Sequence, residues 1–513
     1  MADQPEAALD GEASATEAAR FAALFKEFLE RAVYAAPGRE APFHRIISEH
    51  LGTDALACPV VGRTFQGIEH VNLQGALDHY VAAAGRSWDL RGVTSPNKRF
   101  MQMGLSDLLA DERAAAVIQV GPVEYTELPS GPGETRPCLE WSLGLIVDGA
   151  DRLGVFVRTG QQGGMATGEL HLEVIAADRA VATAFLAAID ELMVAHNVFR
   201  GRVISIGRTE QRGPFPGLGI EFLEFDRIGR NDVVLAEGVL DRVERHCFGI
   251  ARHAQRLVDA GRHLRRGILL YGPPGTGKTH TVRYLAAEMP ERTTIIVTAA
   301  DLGLLSSSFA LARKLSPSMV VLEDVDLIAE ERTMPFGAQG RLPLLFGLLN
   351  ELDGLPADCD LIAVLTTNRA DLLEPALAAR PGRIDLALEV GLPGADQRRR
   401  LIELYGRGLL LDVGDLAPFV ERTDGVSPAF IKEWLRRAAA LAADRAEGPI
   451  VVTGPDLESA LAELSEAGAA LAGMLARAPA SAGAFPTMGS GPVRMFGNVP
   501  EEILRRLQQP PAR

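Results

Sequence analysis

The residues best suited to chemistry form one run, Gly272-Pro273-Pro274-Gly275-Thr276-Gly277-Lys278-Thr279, with His280 directly after it. The run fits G-x-x-x-x-G-K-[ST], and RGILLYG before it reads as a buried strand while HTVRYLAAEM after it reads as a helix. Glycines leave room for backbone N–H groups to wrap a phosphate, and the helix N-terminus adds its positive dipole. Lys278 is placed to reach β- and γ-phosphates, Thr279 to offer a hydroxyl to Mg2+, and His280 to lend a backbone N–H. Lysine is scarce in this chain, found at Lys26, Lys98, Lys278, Lys314 and Lys432, and one of them stands where phosphate chemistry demands it.

Two further segments read as buried strands ending in polar groups. Met319-Val320-Val321-Leu322-Glu323-Asp324-Val325-Asp326 delivers carboxylates to a sheet edge where a metal-bound triphosphate would lie. One acid would hold Mg2+ through its water, and the next would orient or deprotonate the attacking water. Leu361-Ile362-Ala363-Val364-Leu365-Thr366-Thr367-Asn368 ends in Asn368, which suits sensing a γ-phosphate or holding the lytic water. Beyond it, Arg380 and Arg383 lie on a loop poorly placed for the phosphates of their own subunit. They suit completion of a neighbour's site, which requires an oligomer.

Such side chains need a scaffold, and from Val233 the order helix, strand, Gly-rich loop, helix is that of a parallel α/β sheet. The chain divides into an acidic, disordered lead-in (1–20), an N-terminal α+β domain (21–225), an α/β core (226–395), a helical lid (396–472) and a flexible tail (473–513). The N-terminal domain is expected to open with a helix between Phe21 and His50 and to continue as helix and loop to Ala115. Strands follow at Ala116–Val120, Leu139–Val147, Leu153–Val157 and Leu170–Ala176, then a helix through Val181–Ala195 and a strand at Gly201–Ile206. A short amphipathic element, Glu501–Leu507, closes the chain.

Composition narrows the class. Of 513 residues 47% are hydrophobic and 23% charged, an ordinary globular balance, and the formal charge of -15 argues against a general binder of nucleic acid or anionic membrane. Cys58, Cys138, Cys247 and Cys359 lie far apart and suggest neither disulfides nor a zinc site. No stretch approaches the roughly 18–20 apolar residues of a membrane span, and a cytoplasmic location is expected. The N-terminal histidines fall in no ligand pattern, Trp88 and Trp141 read as core or interface, and Arg398-Arg399-Arg400 reads as a solvated face or subunit contact on a lid helix.

Together these motifs resemble the AAA family (AAA+ class) over about half the chain. GPPGTGKT is similar to its Walker A motif and VVLEDVD to Walker B. LLNELDGL, TTN and RPGR are similar to its second region of homology, and TDGVSPAFI and VVTGPDLESAL to its lid. The resemblance implies an α/β P-loop NTPase core with a C-terminal helical lid, binding ATP and Mg2+. It also implies a ring, commonly hexameric, that couples ATP hydrolysis to remodelling a macromolecule, with a protein client recruited by the N-terminal domain. The run before Walker A and the Glu323-Asp324 order look most like the Bcs-type ATPases, whose N-terminal membrane segment has no counterpart here. Most relatives carry Asp then Glu in Walker B. The order here allows two registers: Glu323 on Mg2+ with Asp324 on the water, or Asp324 on the metal and no base, which would make a nucleotide switch or scaffold. A nucleic-acid-associated ATPase is the other alternative. The stretch from Asp301 to Phe309 has no aromatic at the tip of the family's pore loop, so threading of a chain is not implied, and Phe309 reads as a helix core residue. Pro428 replaces a lid glycine near the adenine in relatives.

Overall fold

The computed structural model describes residues 42–95, 103–109, 118–162, 165–209, 217–298, 304–326, 358–369, 384–445 and 448–477, with Leu24, Glu351, Gly354 and Pro356 besides. They belong to two compact units, residues 1–198 with 208–219 and residues 199–207 with 220–513.

The first unit runs α1 (Pro42–Leu51), β1 (Val60–Gln66), α2 (His70–Val81), β2 (Arg86–Thr94), α3 (Leu105–Leu109), β3 (Gln119–Gly121), β4 (Glu124–Gly131), β5 (Glu134–Glu140), β6 (Ser142–Asp148), β7 (Asp151–Gln162), β8 (Met165–Ala176) and α4 (Arg179–Ala195). One antiparallel sheet has the order β1-β8-β7-β6-β2-β3, and β4 pairs with β5 apart from it. Strand alternation builds two cores. Leu153, Val155 and Val157 of β7 face α2 and α4, while Phe156 between them joins Phe43 and Ile47 of α1 on the other face. β1 and β2 lie in the stretch read from sequence as helix and loop. VVGRTFQ and RSWDLRGVT put Gly, Arg and Asp among their apolar residues, and neither shows an apolar run. The expected strand Leu139–Val147 is broken at Trp141, whose φ of 44° turns the chain and whose ring is buried edge-on to Phe156.

The second unit takes in residues 203–207 of β9 (Val203–Thr209) and 220–222 of β10 (Gly217–Phe222), followed by α5 (Val239–Arg252), α6 (Ala254–Asp259), β11 (Arg266–Tyr271), α7 (Lys278–Glu288), β12 (Thr293–Val297), α8 (Leu305–Lys314), β13 (Ser318–Leu322), β14 (Leu361–Thr367) and β15 (Leu386–Glu389). The sheet order is β10-β9-β12-β13-β14-β11-β15, and every neighbour pair from β9 to β15 is parallel. β12, β13 and β14 are buried at every residue, as a sheet covered on both faces requires. β9 was expected in the N-terminal domain, yet Val203 and Ile204 pair with Thr294 and Ile295 of β12. Three apolar residues, Val203, Ile204 and Ile206, carry no mark of which sheet they join. At the N-terminal ends of the strands, buried Arg266 and Arg292 share the Asp360 carboxylate, Arg292 at 2.6 Å.

The helical segment expected to form the lid comprises α9 (Ala395–Tyr405), β16 (Leu410–Asp412), α10 (Ala417–Arg422), α11 (Pro428–Ala443), β17 (Val451–Thr453) and α12 (Gly454–Arg477). Its core centres on Trp434, whose indole N–H donates to the Leu457 carbonyl at 2.9 Å. Arg398 corrects the reading of a solvated basic run. It is buried and donates to the carbonyls of Pro393 (2.9 Å) and Val420 (3.0 Å), with Asp424 beside it.

Candidate active site

The C-terminal ends of β11, β13 and β14 adjoin in the sheet, so three segments distant in sequence meet at one edge. The loop after β11 turns through three glycines with positive φ: Gly272 (145°), Gly275 (75°) and Gly277 (107°). A side chain at Gly272 is impossible, since its Cβ would lie 2.3 Å from the Val390 carbonyl oxygen. Thr276 closes the turn by donating to the Pro273 carbonyl at 2.8 Å, and Lys278 opens α7. The Lys278 ammonium donates to the carbonyls of Gly272 (2.8 Å) and Pro273 (2.9 Å) and to Asn368 Oδ1 (2.8 Å). Burial pushes this ammonium below its ordinary range, while Asp324 and Asp326 pull it back up.

Asn368 is the hub. Its Nδ2 donates to Asp324 at 3.4 Å and to Asp326 at 3.3 Å, while its Oδ1 receives Lys278. Asp324 sits at φ 50°, with its backbone N–H donating to Thr366 Oγ1 at 3.0 Å. Burial raises the Asp324 carboxyl above the usual range and Asp326 adds to this, against Lys278 and Asn368. Burial raises Glu323 too, with the Thr279 hydroxyl beside its carboxylate opposing the rise. Thr279 and Glu323, the two residues assigned to Mg2+ from sequence, thus meet side chain to side chain.

Sequence reasoning gave no role to Asp326. The structure buries it and makes it the acceptor for Thr367 Oγ1 (3.0 Å), Asn368 N–H (3.0 Å) and Asn368 Nδ2 (3.3 Å). Its signal was available, a third acid two residues beyond Asp324 on the same strand end. The His280 ring also gains a partner, the Asp232 carbonyl at 3.1 Å. Asp232 in turn meets Arg407 of the lid at 2.5 Å. Around it, Val233 packs in the core cluster and Val234 in the lid cluster, so this segment ties the two together. A second tie is direct: Ala429 N–H donates to the Gly275 carbonyl at 3.1 Å. Pro428 pre-sets the first turn of α11 behind the Ser427 cap. Phe309 is fully buried in α8, as read. Arg380 and Arg383 lie outside the described residues, as do Asp301 to Gly303, most of Leu348–Leu355 and residues 478–513, while 473–477, expected in the flexible tail, continue helix α12.

The donor set fits Mg2+-ATP. A glycine loop with no room for a side chain at Gly272, an ammonium at its mouth and a hydroxyl and a carboxylate at the helix start offer donors for phosphate and oxygen ligands for a hard cation.

Residues 268–392 match the family described as "ATPase family associated with various cellular activities (AAA)", and the chain carries an AAA ATPase domain there, whose nucleotide is ATP with Mg2+. Its similarity extends to proteasome-associated ATPases and FtsH proteases. It is 33% identical over 230 residues to the 26S proteasome regulatory subunit 8 homolog of Schizosaccharomyces pombe, covering 42% of this chain and 56% of that protein. It is 31% identical over 226 residues to the proteasome-activating nucleotidase of Pyrococcus horikoshii, covering 42% and 56%. With the ATP-dependent zinc metalloprotease FtsH of Thermus thermophilus it shares 32% over 251 residues, covering 46% and 39%. The chain thus spans between about a third and somewhat over half of the length of the curated relatives it matches. Among the described residues no helix is long and apolar enough to cross a membrane.

Proposed function

We propose that this chain hydrolyses ATP as a homo-oligomeric ring, probed first as a hexamer, and uses the energy to remodel or assemble a protein client gathered by its N-terminal unit. The observation that supports this most is the triangle of Lys278, Asn368 and Asp324 at the strand ends, with Thr279 and Glu323 beside it. In this reading Mg2+ neutralises charge on the phosphate oxygens. The P-loop backbone from Gly272 to Gly277 would bind the phosphates, Lys278 would steady the terminal ones, and Thr279 and Glu323 would hold the cation. Asp324 takes up the proton of the attacking water, and Asn368 holds that water in line. Arg380 and Arg383 would enter the neighbouring subunit's site and stabilise charge in its transition state. The Glu323-Asp324 order supports a place near the Bcs-type ATPases, and the four free cysteines support a cytoplasmic site of action.

Phosphate release with Mg2+-ATP across a range of protein concentrations tests the reading. Specific activity should rise as the chain self-associates, and Lys278→Ala, Asp324→Asn and Arg383→Ala should each abolish it. Equal release from wild type and Lys278→Ala would sink the hydrolysis reading. The second reading, a nucleotide switch, has one structural feature in its favour: the short Asp324 carboxylate, rather than a Glu, occupies the position facing Asn368. Tight ATP binding without turnover would establish it.

A further inference from the structure

The N-terminal unit contains a cleft of about 580 Å³ between α2, the edge of β2 and the β4–β5 hairpin. Its origin lies in a strand that leaves the sheet. β3 pairs with β2 only at Gly92–Thr94. The next residue after β3, Pro122, has no N–H to give to the ladder, and its carbonyl crosses Gly92 so closely that a Cβ there would come within 1.8 Å. The chain departs at that point and β4 pairs with β5 instead. From Arg86 to Arg91, among the described residues, β2 is laddered on one side alone, to β6.

The direction of the free groups follows from the register. Val93 N–H donates to the Trp141 carbonyl at 2.8 Å on the β6 side, so by alternation Ser87, Asp89 and Arg91 also bond toward β6. The backbone groups of Trp88 and Leu90 face outward. The Leu90 carbonyl is met there by the guanidinium of Arg91 at 3.3 Å, a side chain where a strand would bind.

Trp88 and Leu90 also line the cleft, with Tyr125 and Asp78. Tyr125 is 48% exposed, a large side chain left in solvent. Of the nearby cations, Arg86 is paired with Asp148 at 2.9 Å and Arg91 with Asp89 at 2.5 Å, while Arg136, which also lines the cleft, lays its guanidinium on the α2 backbone at Gly75, 3.4 Å from the Val71 carbonyl. Asp78, by contrast, accepts from the neutral amide of Gln74 at 2.8 Å. The carboxylate the cleft sets beside two aromatic rings is therefore Asp78, while its other charged lining residue, Arg136, is turned to the helix backbone.

We propose that this cleft binds an extended peptide segment of a protein partner, which adds a strand to the outer edge of β2 at Trp88 and Leu90 and sets a lysine or arginine against Asp78, Trp88 and Tyr125. The partner's main chain supplies the N–H and C=O groups that the edge lacks. Its basic side chain gains a charge-assisted hydrogen bond and two aromatic faces. The proposal deepens the client-recruitment reading and rests on it for its biological sense, while the binding itself needs no ATP turnover.

The probe is a display library of random linear peptides of about ten residues, enough for one strand with flanks, selected on the full chain. Recovered peptides are measured by fluorescence anisotropy and by residue-resolved hydrogen exchange. Enrichment of a basic residue is expected, with the amides of Trp88 and Leu90 exchanging fast in the free protein and slowly in the complex. Asp78→Lys should weaken binding by roughly tenfold or more, with thermal melting confirming that it folds although Gln74 loses its acceptor, and Tyr125→Ala, at an exposed side chain, should weaken binding without change in melting temperature. Failure to recover any peptide overturns the proposal, as do peptides that leave the Trp88 and Leu90 amides unprotected. Protection of those amides already in the free chain also overturns it, since another segment of this chain would then occupy the edge. Peptides bound elsewhere on the N-terminal unit would remove this site and leave client recruitment standing. Peptide binding here without phosphate release would do the reverse to the motor.

Discussion

Asp326 offers a sharp test of how the active site is held. It touches neither the glycine loop nor Lys278 by hydrogen bond, yet it accepts three hydrogen bonds that fix Thr367 and Asn368. Substitution Asp326→Asn keeps the shape and the oxygen that receives Thr367 and the Asn368 N–H. It turns an amide N–H2 toward Asn368 Nδ2, so that donor faces donor at a contact now 3.3 Å long. A hydrogen bond to a charged group contributes about 1.5–3 kcal/mol, and the lower end suits this distance. Freeing the Asn368 side chain should therefore lower kcat roughly tenfold. Asp326→Ala removes all three bonds and should lower it roughly a hundredfold or more. Affinity for ATP should stay nearly unchanged in both, because the glycine loop keeps its own contacts. Phosphate release yields kcat, a fluorescent ATP analogue yields Kd, and thermal melting confirms folding. A folded Asp326→Ala protein with wild-type kcat, or one whose Kd rises as much as kcat falls, would refute the positioning argument.

Three further outcomes follow from the same structure. Glu323→Gln should raise the Mg2+ concentration needed for half-maximal turnover while Asp324→Asn should not, and the opposite pattern in a magnesium titration would reverse the register assigned to the two acids. His70 is buried, with Nε2–H donated to the Leu139 carbonyl at 2.9 Å, and burial pulls its pKa down to about 4. The unfolded chain then takes up a proton from about pH 6.5 downward that the folded one refuses, so stability falls as pH drops through that window, by about 3 kcal/mol in full. His70→Gln should flatten this slope in denaturant titrations at successive pH values, and parallel slopes would contradict it. Asp360→Ala leaves the buried guanidiniums of Arg266 and Arg292 without their carboxylate, and should cost about 3–5 kcal/mol in chemical denaturation. A loss below about 1 kcal/mol would show the charges solvated in some other way.

The local chemistry of the nucleotide site was legible in the sequence because each part is a short-range pattern. A glycine loop between a strand and a helix, and two apolar runs ending in acids or Asn, declare themselves by composition and period alone. The buried strands β11, β13 and β14 were readable for the same reason, being apolar at nearly every position. What the tertiary structure decided is what depends on pairing between distant residues. The placing of β9 beside β12 depends on a partner some ninety positions away, and nothing within Val203–Thr209 names it. Asp326 had no role until β14 brought Thr367 and Asn368 against it. Arg398 looked like part of a basic surface until the turn before α9 and the end of α10 presented carbonyls that bury it. The edge of β2 is open because Pro122 leads the next strand away, and whether a neighbour returns to cover it is a property of the fold. Sequence determines the groups a chain can offer; which of them meet, and which are left facing solvent, is settled only when the sheets close.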